Sequence, residues 1–345
     1  MASIVGGLDI HRKQITFGYA DAVTGEVCRG RIAPADREHF RAWLAGRFGD
    51  PGQVVFAVEA CTGWRYVTEE LAAAGIGACL AEPAGTATLR GRKRRAKTDR
   101  ADARLMRDLT ADGRLPQCWV PPAHVLECRA LLECYHDLRA EHTAWVQRAH
   151  AVLFHQGAPE FYDLSRPDAP AELAAAAQRY LSPAGQVQIG TCLRMLAGTE
   201  AELAAVRQLL LAAARRMRGA KVLAESIYGV GPVTALALTC WLGGAGRFSS
   251  ARKAVRFTGL DITVHSSDAK RSPGHLSRQG PAVLRWALYE AGKTHARPAA
   301  PDHRYYASVK ERKDGKRAAL AEARKIVRRA CHILAELGDD ALAMA

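Results

Sequence analysis

The sequence is poor in aromatic residues and lacks any extended apolar segment. Phe, Trp and Tyr make up 7% of the 345 residues, which argues against a surface that stacks nucleic-acid bases on aromatic rings. The longest apolar runs, such as VTALALTCWL, are too short to cross a bilayer. No segment has the pattern of a signal peptide. We therefore expect a soluble, cytoplasmic protein that is not inserted in a membrane.

The nine cysteines form no ligand or disulfide pattern. None stands in a CxxC pair, and none has histidines at zinc-finger spacing. An odd number of scattered cysteines is typical of reduced thiols in a reducing compartment. These absences argue against a zinc finger and against a disulfide-rich secreted scaffold.

Positive charge, in contrast, is abundant. Lys and Arg number 49 against 35 Asp and Glu, which gives a net charge of +14. Such a balance favours anionic partners: nucleic acid, an acidic membrane surface or a phosphorylated ligand. The charge is densest in RGRKRRAKTDRADAR, residues 90–104, where Asp99 and Asp102 interrupt a basic run.

Strand and helix patterns alternate over the first third of the chain. The predicted order is strand, strand, strand, helix, strand and helix, over residues 3–10, 14–22, 53–61, 62–75, 76–84 and 98–113. The first two strands form a hairpin around a polar turn, Thr62 caps the first helix, Gly75 ends it, and Thr98 caps the second helix. This order predicts an α/β domain over residues 1–115, with a mixed sheet covered on both faces.

The remainder of the chain has mainly helical periodicity. Residues 125–218 predict two long amphipathic helices around a less regular insert, forming either a hairpin within the chain or a coiled-coil dimerisation element. Residues 219–345 predict a mainly α domain, in which Gly229 and Gly231 precede a helix as in a helix-hairpin-helix element. The backbone N–H groups of such a turn bind phosphate, although GxG turns also begin many helices that bind nothing.

Four carboxylates stand where predicted strands end or helices begin. Asp9 and Glu59 close apolar strands, where an unpaired carboxylate is unfavourable. Asp99 and Asp102 are three residues apart on one helix and share a face. Each acid alone is more often a cap or a partner of an arginine, but four together could ionise fully only around a cation. We predict that they hold Mg²⁺, as two ions per site, which is a common arrangement for cleaving phosphodiesters.

These acids stand in motifs that resemble a known family. Asp9 in GLDIHRKQITFGYAD, Glu59 in AVEACTGW, and Asp99 with Asp102 in KTDRADARLMRDL are similar to the motifs of DEDD transposases of bacterial insertion sequences, the Piv/MooV-like or insertion-sequence 110 family. The C-terminal segment resembles the second domain of that family. Its glycine and basic pattern falls here on Gly274, Leu276, Arg278, Gly280, Leu284 and Arg285.

The resemblance implies a RuvC-like, RNase H fold for the first domain and a site-specific DNA recombinase guided by a structured RNA from the element's own end. It implies homodimers and tetramers in which the acidic domain of one subunit meets the serine domain of another. It also implies that a serine nucleophile in HSSDAK joins the four acids as a catalytic residue. Ser267 is the expected nucleophile. Ser266 is the alternative, because the family usually has Gly after this serine, whereas Asp268 stands here.

Cations near these motifs are the expected contacts to nucleic acid. They lie in the basic run, in the serine loop or in the glycine-rich segment after it. The predicted contacts are Arg92, Lys93, Arg94, Arg95, Lys97, Lys270, Arg271 and Arg278, together with Gly229 and Gly231. A basic helix near the C-terminus, residues 312–334, is either a solvated face or a further phosphate contact.

Three other classes of protein remain as alternatives. A hydrolytic nuclease such as a junction resolvase would need the four acids but no serine. A sugar-kinase or actin-like ATPase would need a glycine-rich phosphate loop after Asp9, and DIHRKQ contains no glycine. A non-catalytic basic protein would account for the charge but not for the acids.

Overall fold

The computed structural model describes residues 2–90, 98–158, 168–263 and 274–344, together with the backbone of two short strands within 265–272. The chain forms two compact units, Met1–Val120 and Pro121–Ala345. The finer division into three domains stays a prediction. Outside the described residues lie Asp268 and the predicted contacts Arg92, Lys93, Arg94, Arg95 and Lys97.

The first unit is built on a mixed β-sheet. Within the described residues its strands are β1 (Ile4–Ile10), β2 (Ile15–Asp21), β3 (Val27–Ile32), β4 (Val54–Glu59), β5 (Gly77–Ala81) and β6 (Gln117–Cys118). Their order is β3-β2-β1-β4-β5-β6, with β1 antiparallel to β2 and parallel to β4. The predicted hairpin and the predicted α/β class are confirmed.

Helices cover both faces of this sheet, as predicted. They are α1 (Arg37–Leu44), α2 (Trp64–Ala73), α3 (Pro83–Leu89) and α4 (Asp99–Ala111). On one face, Phe40 of α1 and Leu71 of α2 share a buried cluster with Phe56 of β4. On the other face, Met106 of α4 packs in a separate cluster with Ala57 of β4. Successive side chains of β4 point to opposite faces of the sheet, so this strand contributes to both clusters.

Several local predictions for this unit need correction. Thr62 does not cap α2, because Gly63 takes the N-cap position with a left-handed φ of 102°. The strand predicted over 76–84 ends at Ala81, because the Glu82 carboxylate caps α3 and accepts hydrogen bonds from its first N–H groups. The elements α1, α3, β3 and β6 were not predicted. The predicted Thr98 cap is confirmed, since its hydroxyl accepts from the Ala101 N–H at 3.2 Å.

The second unit is mostly helical, as predicted. Its described elements are α5 (Ala123–His155), α6 (Ala169–Tyr180), α7 (Pro183–Arg216), α8 (Arg218–Ser226), α9 (Pro232–Leu242), α10 (Ala251–Phe257), β7 (His265–Ser267), β8 (Lys270–Ser272), α11 (Ala282–Lys293), α12 (His303–Arg312) and α13 (Gly315–Leu337). The apolar helix α9 is buried from Ala235 to Leu242, and α7, α8 and α11 pack around it. None of the described helices combines the length and apolarity needed to span a bilayer.

The long helices α5 and α7 pack against each other along their length. His142 Nε2 lies 3.1 Å from Glu200 Oε1, and the Gln156 side chain accepts from the Ser182 N–H at 2.8 Å. Because later residues of α5 meet earlier residues of α7, the two helices are antiparallel within the chain, and the dimerisation role of this region stays a prediction. The insert predicted to be less regular contains α6, whose alanine-rich sequence favours a helix.

Candidate active site

A glycine on β1 lets helix α4 approach the sheet. An ideal Cβ atom at Gly7 would lie 2.1 Å from the Ala103 carbonyl oxygen and 2.9 Å from the Arg107 backbone nitrogen. No side chain fits in that space, so the backbone of α4 rests directly on β1. Asp9 is two residues further along β1 and therefore points to the same face. The N-terminal turn of α4 carries Asp99 and Asp102 towards it.

Asp9 and Asp99 meet around a histidine. His11 Nε2 lies 3.3 Å from Asp9 Oδ2 and 3.3 Å from Asp99 Oδ1. One potential ligand atom from each of these three residues falls within 4.8 Å of the others. Asp9 is buried, whereas the side chains of Asp99 and His11 are 39% and 53% exposed. The cluster is thus anchored in the sheet and open to solvent on one side.

The other two acids flank this cluster. Asp102 is largely buried, and its Oδ1 accepts from Arg90 at 2.6 Å. Glu59 ends β4, and because Leu8 pairs with Val58 in the parallel register, Asp9 and Glu59 follow side by side on neighbouring strands. Both line one cavity of about 590 Å³. The structure therefore places all four predicted acids around the carboxyl ends of β1 and β4.

The electrostatics of the site favour a cation. Burial raises the pKa of Asp9, the neighbouring His11 lowers it, and the charges of Asp99 and Asp102 raise it again, with a net upward shift. Neighbouring negative charges repel one another, and a cation bound between them reduces that repulsion. Carboxylate oxygens such as those of Asp9 and Asp99 are the donors that hard ions such as Mg²⁺ prefer.

His11 and Gln14 were not predicted at this site. They close the β1–β2 turn, where the His11 N–H donates to the Gln14 carbonyl at 2.9 Å. The Gln14 amide also donates to Asp99 Oδ2 at 3.3 Å. The hairpin tip therefore holds both oxygens of Asp99. The signal that could have found His11 is its position two residues after a strand-ending aspartate.

The predicted serine lies in the second unit, on a two-stranded hairpin. Ser267 pairs with Lys270, and Ser266 pairs with Arg271, between β7 and β8. Both candidate serines and both predicted cations thus share one short ladder. The same two chain segments also pair at its base, where Ile262 bridges to Leu276.

The glycine turn before α9 has a packing role that sequence alone did not reveal. Gly229 has a φ of 79°, and a Cβ there would lie 2.2 Å from Thr294 Oγ1. Gly231 is exposed, with no atom within 4 Å of an added Cβ. The turn joins α8 and α9, which pack together; the helix-hairpin-helix element stays a prediction. Of the two glycines, Gly231 alone has open space around the position of an added Cβ atom.

Arg278 also has an unusual backbone. Its φ is 53°, in the left-handed region that few residues other than glycine adopt. Its N–H donates to the Gly259 carbonyl at 3.2 Å, while its side chain lines a cavity of about 430 Å³. Such strain is often found at functional positions.

A second group with potential ligand atoms lies in the same unit. His295, Asp302 and Glu322 come together, with His295 and Glu322 fully buried. Lys325 Nζ is 3.0 Å from Asp302 Oδ1 and 3.5 Å from Glu322 Oε1, and Arg329 contacts Asp302 at 2.9 Å. Two cations of the chain therefore already balance the two carboxylates. We interpret this group as an internal ion network.

Comparison with family models agrees with this geometry. Residues 6–155 match the model of the DEDD transposases of the IS110 group, and residues 221–307 match the model described as Transposase IS116/IS110/IS902 family. Together the two matches span more than half of the chain, and between them they contain all four acids and Ser267. The chain belongs to the IS110 family of DEDD transposases. It is therefore a DNA transposase, and DNA is its substrate. No curated protein matches the sequence.

Proposed function

We propose that this IS110-family transposase is an RNA-guided, site-specific recombinase that cuts and rejoins DNA with four acids and a serine. The observation that carries the proposal is the convergence of Asp9, Asp99 and Asp102 at the end of β1, with Glu59 on the neighbouring strand. The strand order and the helices on both faces support a RuvC-like, RNase H fold for the first unit.

The acidic cluster fits a divalent metal. Buried Asp9 has a raised pKa beside two further carboxylates, and it lines a cavity of about 590 Å³. Asp9, Glu59, Asp99 and Asp102 would hold the ions, as two Mg²⁺ per site. When bound, these ions supply charge neutralisation at the scissile phosphate and favour ionisation of the attacking hydroxyl.

Ser267 is the proposed nucleophile, with Ser266 as the alternative. The serine hydroxyl gives its proton to solvent, and its oxygen forms a bond to phosphorus. The bond from phosphorus to the neighbouring deoxyribose oxygen breaks, and that oxygen takes up a proton to become a hydroxyl. The phosphodiester energy is kept in the serine–DNA bond, so that a hydroxyl of another strand can reverse the step.

The partners follow from the family resemblance and from the charge. A net charge of +14 suits both a structured guide RNA and the DNA that it selects. Lys270, Arg271 and Arg278 are the proposed phosphate contacts in the serine-bearing unit. The proposal requires dimers, and tetramers in the synaptic complex, in which serine and acids meet at each cut.

Detection of the covalent intermediate tests this function. Labelled target DNA is incubated with protein, guide RNA and Mg²⁺, denatured in detergent and separated by electrophoresis. Label should migrate with wild-type protein and with Ser266→Ala, and it should be absent from Ser267→Ala and Asp102→Ala. Asp108→Ala is the matched control, because Asp108 lies on the same helix as Asp102 but is paired with Arg104 and Arg107.

Three outcomes would change the proposal. Label absent only from Ser266→Ala would move the nucleophile by one residue. Cleavage without a covalent species in any variant would favour the hydrolytic nuclease. Wild-type cleavage by Asp102→Ala would refute the four-acid site.

A further inference from the structure

A strongly basic groove lies beside the serine hairpin in the second unit. It has a volume of about 900 Å³ and is formed by α10, α13 and the segments at the base of the hairpin. Its charged lining consists of Arg252, Lys253, Arg256, Arg324, Arg328 and one acid, Asp261. The neighbouring cavity that contains Arg278 shares Ile262 and Arg324 with it and adds Arg317. The two cavities therefore adjoin at Ile262 and Arg324, and both are lined by arginines.

Two of the groove cations are engaged within the protein. Arg324 Nε donates to the Leu260 carbonyl at 2.7 Å and is half-buried. Arg256 Nε lies 4.0 Å from Asp261 Oδ2, and Asp261 also accepts from the Ser277 hydroxyl. These contacts fix the wall of the groove and neutralise its single acid.

The other three cations face solvent. Arg252 and Lys253 are exposed on α10, and Arg328 is exposed on α13. Among the described residues none of these three side chains forms an ion pair, whereas many surface arginines elsewhere in the chain do. Like charges held together without partners repel each other, and an anion with several regularly spaced charges relieves that repulsion.

The groove is close to the proposed nucleophile along the chain. Ile262 and Thr263 line it, and Ser267 follows Thr263 by four residues. Four residues span at most about 14 Å, a distance that corresponds to about four phosphates along one strand of B-form DNA. A nucleic-acid backbone in the groove would therefore pass the hairpin that carries Ser267.

We propose that this groove binds the sugar-phosphate backbone of the DNA strand that is to be cut, with Arg252, Lys253 and Arg328 as phosphate contacts. The choice of DNA rests on the proposed function, because the serine beside the groove acts on DNA. These side chains contact phosphate and carry no sequence information. The groove thus positions DNA of any sequence, and another component of the complex selects the target sequence.

Salt-dependent binding tests the groove. Full-length protein is titrated with a short duplex DNA of arbitrary sequence in EDTA, over a range of salt concentrations, so that cleavage plays no part. The variant Arg252→Ala/Lys253→Ala/Arg328→Ala should reduce the slope of log affinity against log salt by about 2.7, or about 0.9 for each phosphate that is no longer neutralised. Circular dichroism and thermal melting verify that each variant is folded.

A matched control removes the same charge elsewhere in the unit. Arg207→Ala/Arg215→Ala/Lys221→Ala also deletes two arginines and one lysine, all of them exposed on α7 and α8. It should change the slope by less than about 1. Equal reductions in both triple variants would mean that only net charge matters, and an unchanged slope in the groove variant would refute the contacts.

An RNA duplex of the same length identifies the ligand. The groove variant should have a larger reduction in slope on DNA than on RNA. An equal reduction on both would overturn the assignment to DNA, and a reduction on RNA alone would reassign the groove to the guide. Failure of the proposed function is measured separately, because a missing serine–DNA adduct leaves this binding result intact. If the serine–DNA adduct forms normally but the groove variant has the wild-type salt dependence, the groove contacts are refuted and the proposed function is not.

Discussion

The Ala103 carbonyl oxygen occupies the space that a Cβ atom at Gly7 would need, at a distance of 2.1 Å. This contact fixes the height of α4 above the sheet. Asp9 and the acids of α4 belong to the same two elements, so their separation depends on it. A backbone contact in the interior thereby sets the geometry of the candidate metal site.

Gly7→Ala should therefore displace α4 and disable the site. We expect the free energy of unfolding to fall by about 1–3 kcal/mol, as in other overpacked interiors, and strand cleavage to be abolished. Gly18→Ala is the control: Gly18 pairs with Gly7 across the sheet, and the nearest atom to its added Cβ is 3.8 Å away. Thermal melting and the cleavage assay measure the two effects. Normal cleavage by Gly7→Ala would contradict this account.

His11→Ala should bind Mg²⁺ more tightly than wild type. The imidazole lies between Asp9 and Asp99, at 3.3 Å from each, and a metal must replace that interaction. Removal of one hydrogen bond of about 0.5–1.5 kcal/mol corresponds to roughly 2- to 10-fold tighter binding. Calorimetric titration of the protein without DNA measures it, with His39→Ala as the control because His39 contacts Asp36 away from the site. Weaker binding by His11→Ala would make His11 a ligand.

Ionised Glu70 should stabilise the first unit, so that the stability of this unit decreases at acidic pH. Glu70 is 3% exposed and accepts from Arg37 at 2.7 Å and from Arg41 at 2.8 Å. The hydrogen bond from Arg41 lowers the pKa of Glu70, burial raises it, and Arg37 lowers it, with a net downward shift. The stabilisation is therefore present above the unfolded-state pKa, and it disappears as the pH falls through the lower folded-state pKa.

Glu70→Gln should lower the free energy of unfolding near pH 7 by about 1–3 kcal/mol. The difference from wild type should shrink at acidic pH, where wild-type Glu70 also becomes protonated. Hydrogen exchange of peptides from α1 and α2 measures it, and exposed Glu38→Gln is the control. A difference that stays constant with pH would show that the charge on Glu70 is not what stabilises the pair of helices.

Alanine substitutions at Gly229 and Gly231 should affect different properties, with the first changing packing and the second changing nucleic-acid binding. Gly229→Ala places a methyl group 2.2 Å from Thr294 Oγ1 at a positive φ, and it should destabilise the second unit by about 1–3 kcal/mol. Gly231→Ala meets no atom within 4 Å and should melt like wild type. If the turn contacts phosphate, Gly231→Ala should weaken DNA binding in a filter assay. Unchanged binding would leave Gly231 as a helix cap only.

The sequence was sufficient to predict the acids because each of them has a local signature. Asp9 and Glu59 end apolar strands, and Asp99 and Asp102 follow the Thr98 cap at helical spacing. His11 was missed because its turn has the composition of a polar surface, and its role depends on Asp99, which is 88 residues away in the chain. Of the groove cations, Arg328 lies in the basic helix 312–334, for which a phosphate contact was one of two predictions, whereas Arg252 was not predicted as a contact. Arg252 and Arg328 each lie on a helix whose pattern indicates a solvated face, and only the tertiary fold brings them together.

The antiparallel pairing of α5 and α7 constrains how relatives of this protein can diverge. The helices have 33 and 34 residues, and at their shared end Leu153, Leu173 and Ile189 pack in a separate apolar cluster. An insertion in one helix alone would shift that cluster out of register. Length changes are therefore expected to arise as paired events, with about seven residues added or removed in both helices together, since about seven residues restore the same helix face. Homologues should differ in the length of this arm by such matched steps.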